Sequence, residues 1–231
     1  MKLSAVIVAA GSSRRMGFDK LEADLLGHSV LARSLLAFER CAVVGEIRVV
    51  TSPEKIASVT STAGELGLSR FVEAIEGGAE RHLSVQRGLD RVGNAFDLVA
   101  VHDAARPLVT GEAIVRCAEA AAASGAATLA HRVADTLKRG NAGDEVCGSV
   151  SRDDLWAMET PQIFEVDLLR RAYAEVTARG EAVTDEVSAI EALGNAVRLV
   201  ENAAPNGKIT VPADLEVARA VLSARGEAEI G

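Results

Sequence analysis

Apolar and polar positions fall into two alternating periods along most of this chain. Val6-Ile7-Val8 is a short β-branched run that gives way at once to Ala9-Ala10-Gly11-Ser12-Ser13, which predicts a buried strand running into a tight loop. After His28-Ser29, the residues Val30, Leu31, Leu35, Leu36 and Phe38 recur at helical spacing, with Ser29 placed to cap the helix. Further strands are predicted at 46–51, 70–75, 97–101 and 126–133. Helices fall between them: one starting at Ser52-Pro53, one over 80–92 and one over 112–123. A β-α-β-α order predicts an α/β fold in three layers, a mostly parallel sheet with helices on both faces and right-handed crossovers.

The rhythm breaks between Val133 and Leu155. Arg139-Gly140-Asn141-Ala142-Gly143-Asp144-Glu145 is polar and glycine-rich, and Thr136-Leu137-Lys138 and Val146-Cys147-Gly148-Ser149-Val150 flank it. This reads as a protruding β-hairpin arm at about 134–154 rather than a crossover helix. Local sequence leaves two readings of such an arm, a flexible excursion or an exchange contact with a second subunit. Helices are predicted at 166–178, 186–193 and 212–223, a strand at 197–200, and a turn at Pro205-Asn206-Gly207. With no internal repeat and no linker, residues 1–231 read as one domain.

Composition narrows the partners. A net charge of −8 argues against broad nucleic-acid or acidic-membrane binding, so cations that handle an anionic substrate must be gathered locally. Cys41, Cys117 and Cys147 are odd in number and widely spaced, without zinc-ligand spacing, and read as reduced thiols of a cytoplasmic protein. No stretch approaches the ~20 apolar residues of a membrane span.

Candidate chemistry sits just after the predicted strands, where open α/β sheets bind ligands. The opening loop adds Arg14, Arg15 and Lys20 to its small residues, a combination suited to a polyphosphate. It matches neither G-x-G-x-x-G nor the P-loop pattern. Gly77-Gly78 followed by Arg81 and Ser84 at a helix start suits a nucleotide base or phosphate, or an ordinary strand-to-helix turn. Asp103, in Val101-His102-Asp103-Ala104-Ala105-Arg106-Pro107, stands where a buried strand emerges and suits a divalent cation held against phosphates, or else a helix cap or a buried pair with Arg106. His102 reads as a hydrogen-bonded structural residue. Weaker polar clusters follow at Asp135-Thr136-Leu137-Lys138, Ser151-Arg152, Thr160-Pro161-Gln162, Thr184-Asp185-Glu186 and Gly207-Lys208-Ile209-Thr210.

Taken in order, these motifs resemble the 2-C-methyl-D-erythritol 4-phosphate cytidylyltransferase family over nearly the whole chain. The resemblance implies a nucleotidyltransferase-type, Rossmann-like domain, a homodimer joined through the arm, Mg²⁺ as cofactor, and CTP and a sugar-alcohol phosphate as substrates. By position, Ala9, Ala10, Gly11, Ser13, Gly78 and Ser84 would bind the nucleotide. Arg15, Lys20 and Lys208 would be catalytic. Asp103 would serve metal and substrate, with Arg106, Thr136, Arg152, Thr160 and Thr184 around the sugar phosphate, Thr136 and Arg152 lent by the neighbouring subunit. Ser13 stands where a second loop glycine is common, and Ala79 where an acidic residue often follows the glycine pair. Rival readings are a ribitol 5-phosphate cytidylyltransferase, which shares the glycine loop and arm, and a catalytically silent dimeric nucleotide-binding protein. The opening loop also resembles nucleotidyltransferases of molybdenum cofactor, but the later motifs do not.

Overall fold

Seven strands form one sheet in the order β3-β2-β1-β4-β8-β5-β9, and helices cover both of its faces. The computed structural model describes residues 1–11, 16–180, 183 and 185–227. In chain order the first half holds β1 (Leu3–Val8), α1 (Val30–Glu39), β2 (Val44–Thr51), a 3₁₀ turn (Pro53–Lys55), α2 (Ile56–Glu65), β3 (Phe71–Glu76), α3 (Arg81–Leu89), β4 (Leu98–Asp103) and α4 (Gly111–Ser124). The second half holds β5 (Ala126–Arg132), β6 (Leu137–Gly140), β7 (Val146–Val150), β8 (Trp156–Glu165), α5 (Val166–Arg179), α6 (Glu186–Ala192), β9 (Arg198–Glu201) and α7 (Pro212–Ala224).

The central strand explains the layering. β1 pairs in parallel with β2 on one side and β4 on the other, so it is buried on both faces. Its alternate residues then feed two cores, as a two-residue side-chain period requires. Leu3, Ala5 and Ile7 pack with Leu35 and Phe38 of α1, Ile114 and Ala118 of α4, and Leu215 and Leu222 of α7. Val6 packs with Val85 and Leu89 of α3, Leu169 and Tyr173 of α5, and Ile190 of α6. Caps fix the helix starts: the Ser29 hydroxyl accepts the Ala32 N–H at 3.1 Å, and Asp185 Oδ1 accepts the Ser188 N–H at 2.9 Å.

One strand has no counterpart among the predicted elements. β8 inserts between β4 and β5 and runs antiparallel to both, so the sheet is mixed. Two features of its sequence hide it. Pro161 in mid-run argues against a strand, and Glu159, Thr160 and Gln162 break the apolar pattern although all three are buried. The sheet accommodates them through a bulge: Thr128 faces Gln162 and Ala130 faces Met158, so Leu129 lies across from the three residues 159–161. Bulges of this kind re-aim side chains, and this one lies beside the strand end that carries Asp103.

The hairpin is present as predicted. β6 and β7 form a separate antiparallel pair, closed where Asn141 Oδ1 accepts the N–H groups of Gly143 and Glu145 at 2.9 and 3.0 Å. The pair is exposed, with Val146 at 70%. Cys41 and Cys117 are buried and Cys147 is exposed, all three as free thiols.

Candidate active site

The carboxyl ends of β1, β3 and β4 open into a cavity of about 400 Å³. It is lined on one side by Val8–Gly11, by Lys20 and Leu21, and by Gly78–Arg81 with Ser84, and on the other by Asp103, Ala105 and Lys208. Strand and helix chemistry put these groups together. β1 and β4 are adjacent in register, so Val8 pairs with Asp103 and the opening loop leaves beside the carboxylate. β4 runs two residues beyond its predicted end, which places Asp103 on the rigid strand rather than in the following loop. A larger cleft, about 540 Å³, lies at the opposite end of the sheet around Met1, Asp97, Glu165 and Arg170. The carboxyl end is where open α/β sheets bind ligands, so the smaller cavity is the candidate site.

Part of the first wall, Val8–Gly11 with Gly78, Ala79 and Ser84, is main chain and small side chains, and Lys20, Leu21, Glu80 and Arg81 complete it. The Ser84 hydroxyl accepts the Gly78 N–H at 3.0 Å and lies 3.1 Å from the Glu80 carbonyl, to which it donates. A Cβ at Gly78 would stand 2.4 Å from Leu83 Cβ, and one at Gly77 would stand 2.9 Å from Ala10 Cβ. Glycine at 77 therefore lets this loop approach the opening loop, and glycine at 78 lets it pack on the first turn of α3.

The other wall is a charge network. Asp103 Oδ2 is 2.7 Å from Lys208 Nζ, Oδ1 is 3.3 Å from Arg81 Nη2, and Arg106 Nε stands 3.9 Å from Oδ2. Burial alone would raise this carboxyl, but Lys208, Arg81 and Arg106 outweigh it and hold the pKa down at about 2. Arg81 also donates to both oxygens of the fully buried Glu186, at 2.5 and 2.7 Å, and Tyr173 donates its hydroxyl to Glu186 at 2.9 Å. Burial works against the Arg81 charge, yet Glu186 and Asp103 raise its pKa above the ordinary range. Burial and then Glu186 push the Tyr173 phenol well up. Lys20 Nζ donates to the Ile209 carbonyl at 2.9 Å, tying the opening loop to the segment that bears Lys208.

Beneath Asp103 runs a second chain of hydrogen bonds. Burial lowers the His102 pKa to about 4, so the imidazole is neutral at physiological pH. Its Nε2 lies 3.2 Å from the Arg106 carbonyl, which only accepts, so the proton is assigned to Nε2. Nδ1 then accepts from the Thr160 hydroxyl at 3.0 Å, and that oxygen accepts the Asp103 N–H at 3.1 Å. His102 is thus structural, as the sequence suggested.

Of the candidate residues, the cavity gathers Ala9, Ala10, Gly11, Lys20, Gly78, Ser84, Asp103 and Lys208. Thr160 and Arg106 sit behind it: Arg106 Nη1 donates to the Asn206 carbonyl at 2.8 Å and Nη2 to the Met158 carbonyl at 3.3 Å. Thr136 and Arg152 are exposed at the base of the arm and do not line the cavity, Arg152 donating to the Ala134 carbonyl. Ser13, Arg15 and Thr184 lie outside the described residues. Sequence reasoning placed Arg81 in a motif suited to a nucleotide but missed its ion pairs with Asp103 and Glu186, and Tyr173 as a further partner of Glu186. The arginine at a helix start was a usable signal; a pairing across 105 positions offered none.

Comparison with known proteins agrees with this geometry. A family model described as 2-C-methyl-D-erythritol 4-phosphate cytidylyltransferase matches residues 3–224. The protein of that name from Alkaliphilus metalliredigens is 36% identical, with 99% of this chain and 96% of that one covered. The one from Prochlorococcus marinus is 40% identical, with 95% and 98% covered. Among solved structures, the 2-C-methyl-D-erythritol 4-phosphate cytidylyltransferase of Thermus thermophilus superposes with a TM-score of 0.78 at 34% identity, covering 96% of this chain and 100% of that one. A 4-diphosphocytidyl-2C-methyl-D-erythritol synthase structure superposes at 0.82 with 33% identity, covering 96% and 98%. The chain therefore belongs to the 2-C-methyl-D-erythritol 4-phosphate cytidylyltransferase family.

Proposed function

We propose that this chain transfers the cytidylyl group of CTP to 2-C-methyl-D-erythritol 4-phosphate, giving 4-diphosphocytidyl-2-C-methyl-D-erythritol and pyrophosphate in the non-mevalonate route to isoprenoid precursors. The observation that carries the reading is Asp103, held ionised among Lys208, Arg81 and Arg106 in a cavity lined across from it by the small residues Ala9–Gly11, Gly78 and Ser84 together with Lys20. A phosphate oxygen of the acceptor attacks the α-phosphorus of CTP. The new P–O bond forms as the bond to the bridging oxygen breaks, and pyrophosphate leaves with that electron pair. No general base is required, because a phosphomonoester with a second pKa of ~6 is already an anion.

The protein's task is to offset repulsion between anions. Ala9, Ala10, Gly11, Gly78 and Ser84 would hold the nucleotide against the small-residue wall. Lys20, with Arg15 and Ser13 of the same loop, would face the triphosphate. Lys208 would turn its half-exposed ammonium from Asp103 to the attacking phosphate and orient it. Arg106, Thr160 and Thr184 would support the acceptor side.

Mg²⁺ fits the donor set. It is usually bound by one or two carboxylates together with substrate phosphates and water, and Asp103 is a hard, fully ionised carboxylate in the cavity. Among the described residues no group of three acidic, His or Cys side chains forms a ready-made cage, so substrate phosphates would complete the shell around Asp103. When bound, the metal would neutralise phosphate charge.

The single-domain chain would act in the cytoplasm as a homodimer, the arm at about 134–154 carrying Thr136 and Arg152 to the partner's cavity. Among the described residues no helix is long and apolar enough to cross a membrane. Pyrophosphate release, assayed with CTP, UTP, ATP and GTP against methylerythritol phosphate and ribitol 5-phosphate, tests the reading. Release is expected with CTP and methylerythritol phosphate; its absence there, while a control enzyme turns over, refutes it.

A further inference from the structure

The bulge of β8 buries a carboxylate that the proposed chemistry does not use. Glu159 is 4% exposed. Its Oε1 lies 2.7 Å from His131 Nδ1, while Oε2 accepts from Asn202 Nδ2 and from Asn206 Nδ2, both at 2.9 Å. Asn206 Nδ2 donates in addition to the Thr160 carbonyl at 2.9 Å. Both asparagines are buried, at 4% and 3% exposure, and they flank the turn that leads to Lys208 in the cavity.

Main-chain contacts complete the grip on that turn. The Asn202 N–H donates to the Ala130 carbonyl at 2.9 Å, and the Ile209 N–H donates to the Ala105 carbonyl at 2.8 Å. Arg106 binds the Asn206 carbonyl and Arg225 Nη2 the Pro205 carbonyl, at 2.8 and 3.0 Å. Glu159 is the acceptor on which both asparagine side chains converge. Stability alone is a poor reason to keep it, since a buried carboxylate costs desolvation energy that a well-packed apolar side chain would avoid. Removing it alone, however, leaves buried amide N–H groups without an acceptor and frees the turn to move.

We propose that Glu159 is a positioning residue for Lys208, acting through Asn202 and Asn206 without touching substrate. The inference rests on the proposed role of Lys208 at the acceptor phosphate. The line of action runs from Glu159 Oε2 to the Asn206 amide, along Gly207, and out to the ammonium that stands 2.7 Å from Asp103. A shift of the turn by a fraction of a side chain displaces the attacking phosphate, and misplacement by ~1 Å costs about a hundredfold in rate.

The test uses the full chain and separates positioning from fold. Glu159→Met keeps the volume but removes the acceptor, whereas Glu159→Gln still offers one oxygen to both asparagines and turns its amide toward His131 Nδ1. Glu159→Met is expected to lower kcat/KM for methylerythritol phosphate about ten- to a hundredfold while the calorimetric Kd for CTP stays within about threefold. Glu159→Gln should recover activity to within about threefold of wild type. In a Lys208→Ala background Glu159→Met should cost less than about threefold more, because residues acting as a unit are non-additive. If Glu159→Met does not fold by circular dichroism, Asn206→Ala is put through the same cycle with the same expectation. Unchanged acceptor kinetics, an equal loss in the Lys208→Ala background, or a Gln variant as impaired as Met would each overturn the proposal. Failure of the functional reading looks different: there the wild-type chain itself releases no pyrophosphate.

Discussion

The two walls of the cavity are built by different physics. The wall proposed to hold the nucleotide, from Val8–Gly11, Gly78, Ala79 and Ser84, is a matter of shape: short-range contacts between neighbouring loops, closed by a serine that binds a glycine six positions away. The wall proposed for the acceptor is a matter of charge, with Asp103 and Lys208 joined across 105 positions and Arg81 and Glu186 across another 105. Substitutions in the first wall should therefore fail by sterics and appear in nucleotide affinity. Substitutions in the second should fail by electrostatics and appear in turnover and pH dependence.

The sharpest way to break that division is Asp103→Asn. It keeps the shape of the wall but leaves Arg81, Lys208 and Arg106 facing one another without the carboxylate that all three approach. Turnover is expected to fall by about 10²–10³, the cost of removing one preorganised charge from a transition-state site. CTP affinity measured by calorimetry should fall far less, within about tenfold on the same argument that charge serves chemistry here. A variant that turns over at the wild-type rate would show that the second wall is not electrostatic.

Acid should dismantle the same wall from below. The His102 pKa is held at about 4 against 6.5 in the unfolded chain, so the unfolded state binds the extra proton first and stability falls as pH drops from about 6.5 to 4. A shift of that size corresponds to about 3 kcal/mol. Asp103 acts lower down: its pKa of about 2 lies below the ordinary 3.8, so its contribution is full above about pH 4 and is lost toward pH 2. Urea midpoints measured from pH 7 to pH 3 should decline in two stages, and His102→Gln should flatten the upper one. A profile with no decline between pH 6.5 and 4 would count against a buried neutral imidazole.

The sequence was most legible where structure is local. The strand-to-loop switch at Val8-Ala9, the Ser29 cap and the polar turn at Asn141 each announced an element, and the structure carries all three. The small-residue wall was readable for the same reason, since Gly77-Gly78 and Ser84 meet within one turn of chain. β8 escaped because its signal conflicts with its place: a proline and three polar residues occupy a buried central strand, made possible by the bulge opposite Leu129. Glu186 escaped because a buried acid and its arginine carry no mark of each other in sequence. The motifs gave positions to the charged wall through the resemblance, but the pairing of Arg81 with Glu186 and the clamp on Asn206 are visible only in three dimensions.

Gly78→Ala probes the other wall, with the smallest expected effect. The added methyl would lie 2.4 Å from Leu83 Cβ and 3.1 Å from the Leu83 carbonyl carbon, so either the loop or the first turn of α3 must give. Overpacking of this kind costs ~1–3 kcal/mol, and here it is concentrated where Gly78 donates its N–H to Ser84. The expected outcome is a lower urea midpoint and a CTP Kd raised about tenfold, because each ~1.4 kcal/mol lost from the bound state is a factor of ten. Turnover at saturating CTP should stay within about threefold of wild type, since the methyl alters how the nucleotide is held and leaves Asp103, Lys208 and Lys20 in place. A fall in kcat at unchanged Kd would reverse the assignment, making the glycine wall part of the reaction's charge stabilisation rather than of its shape.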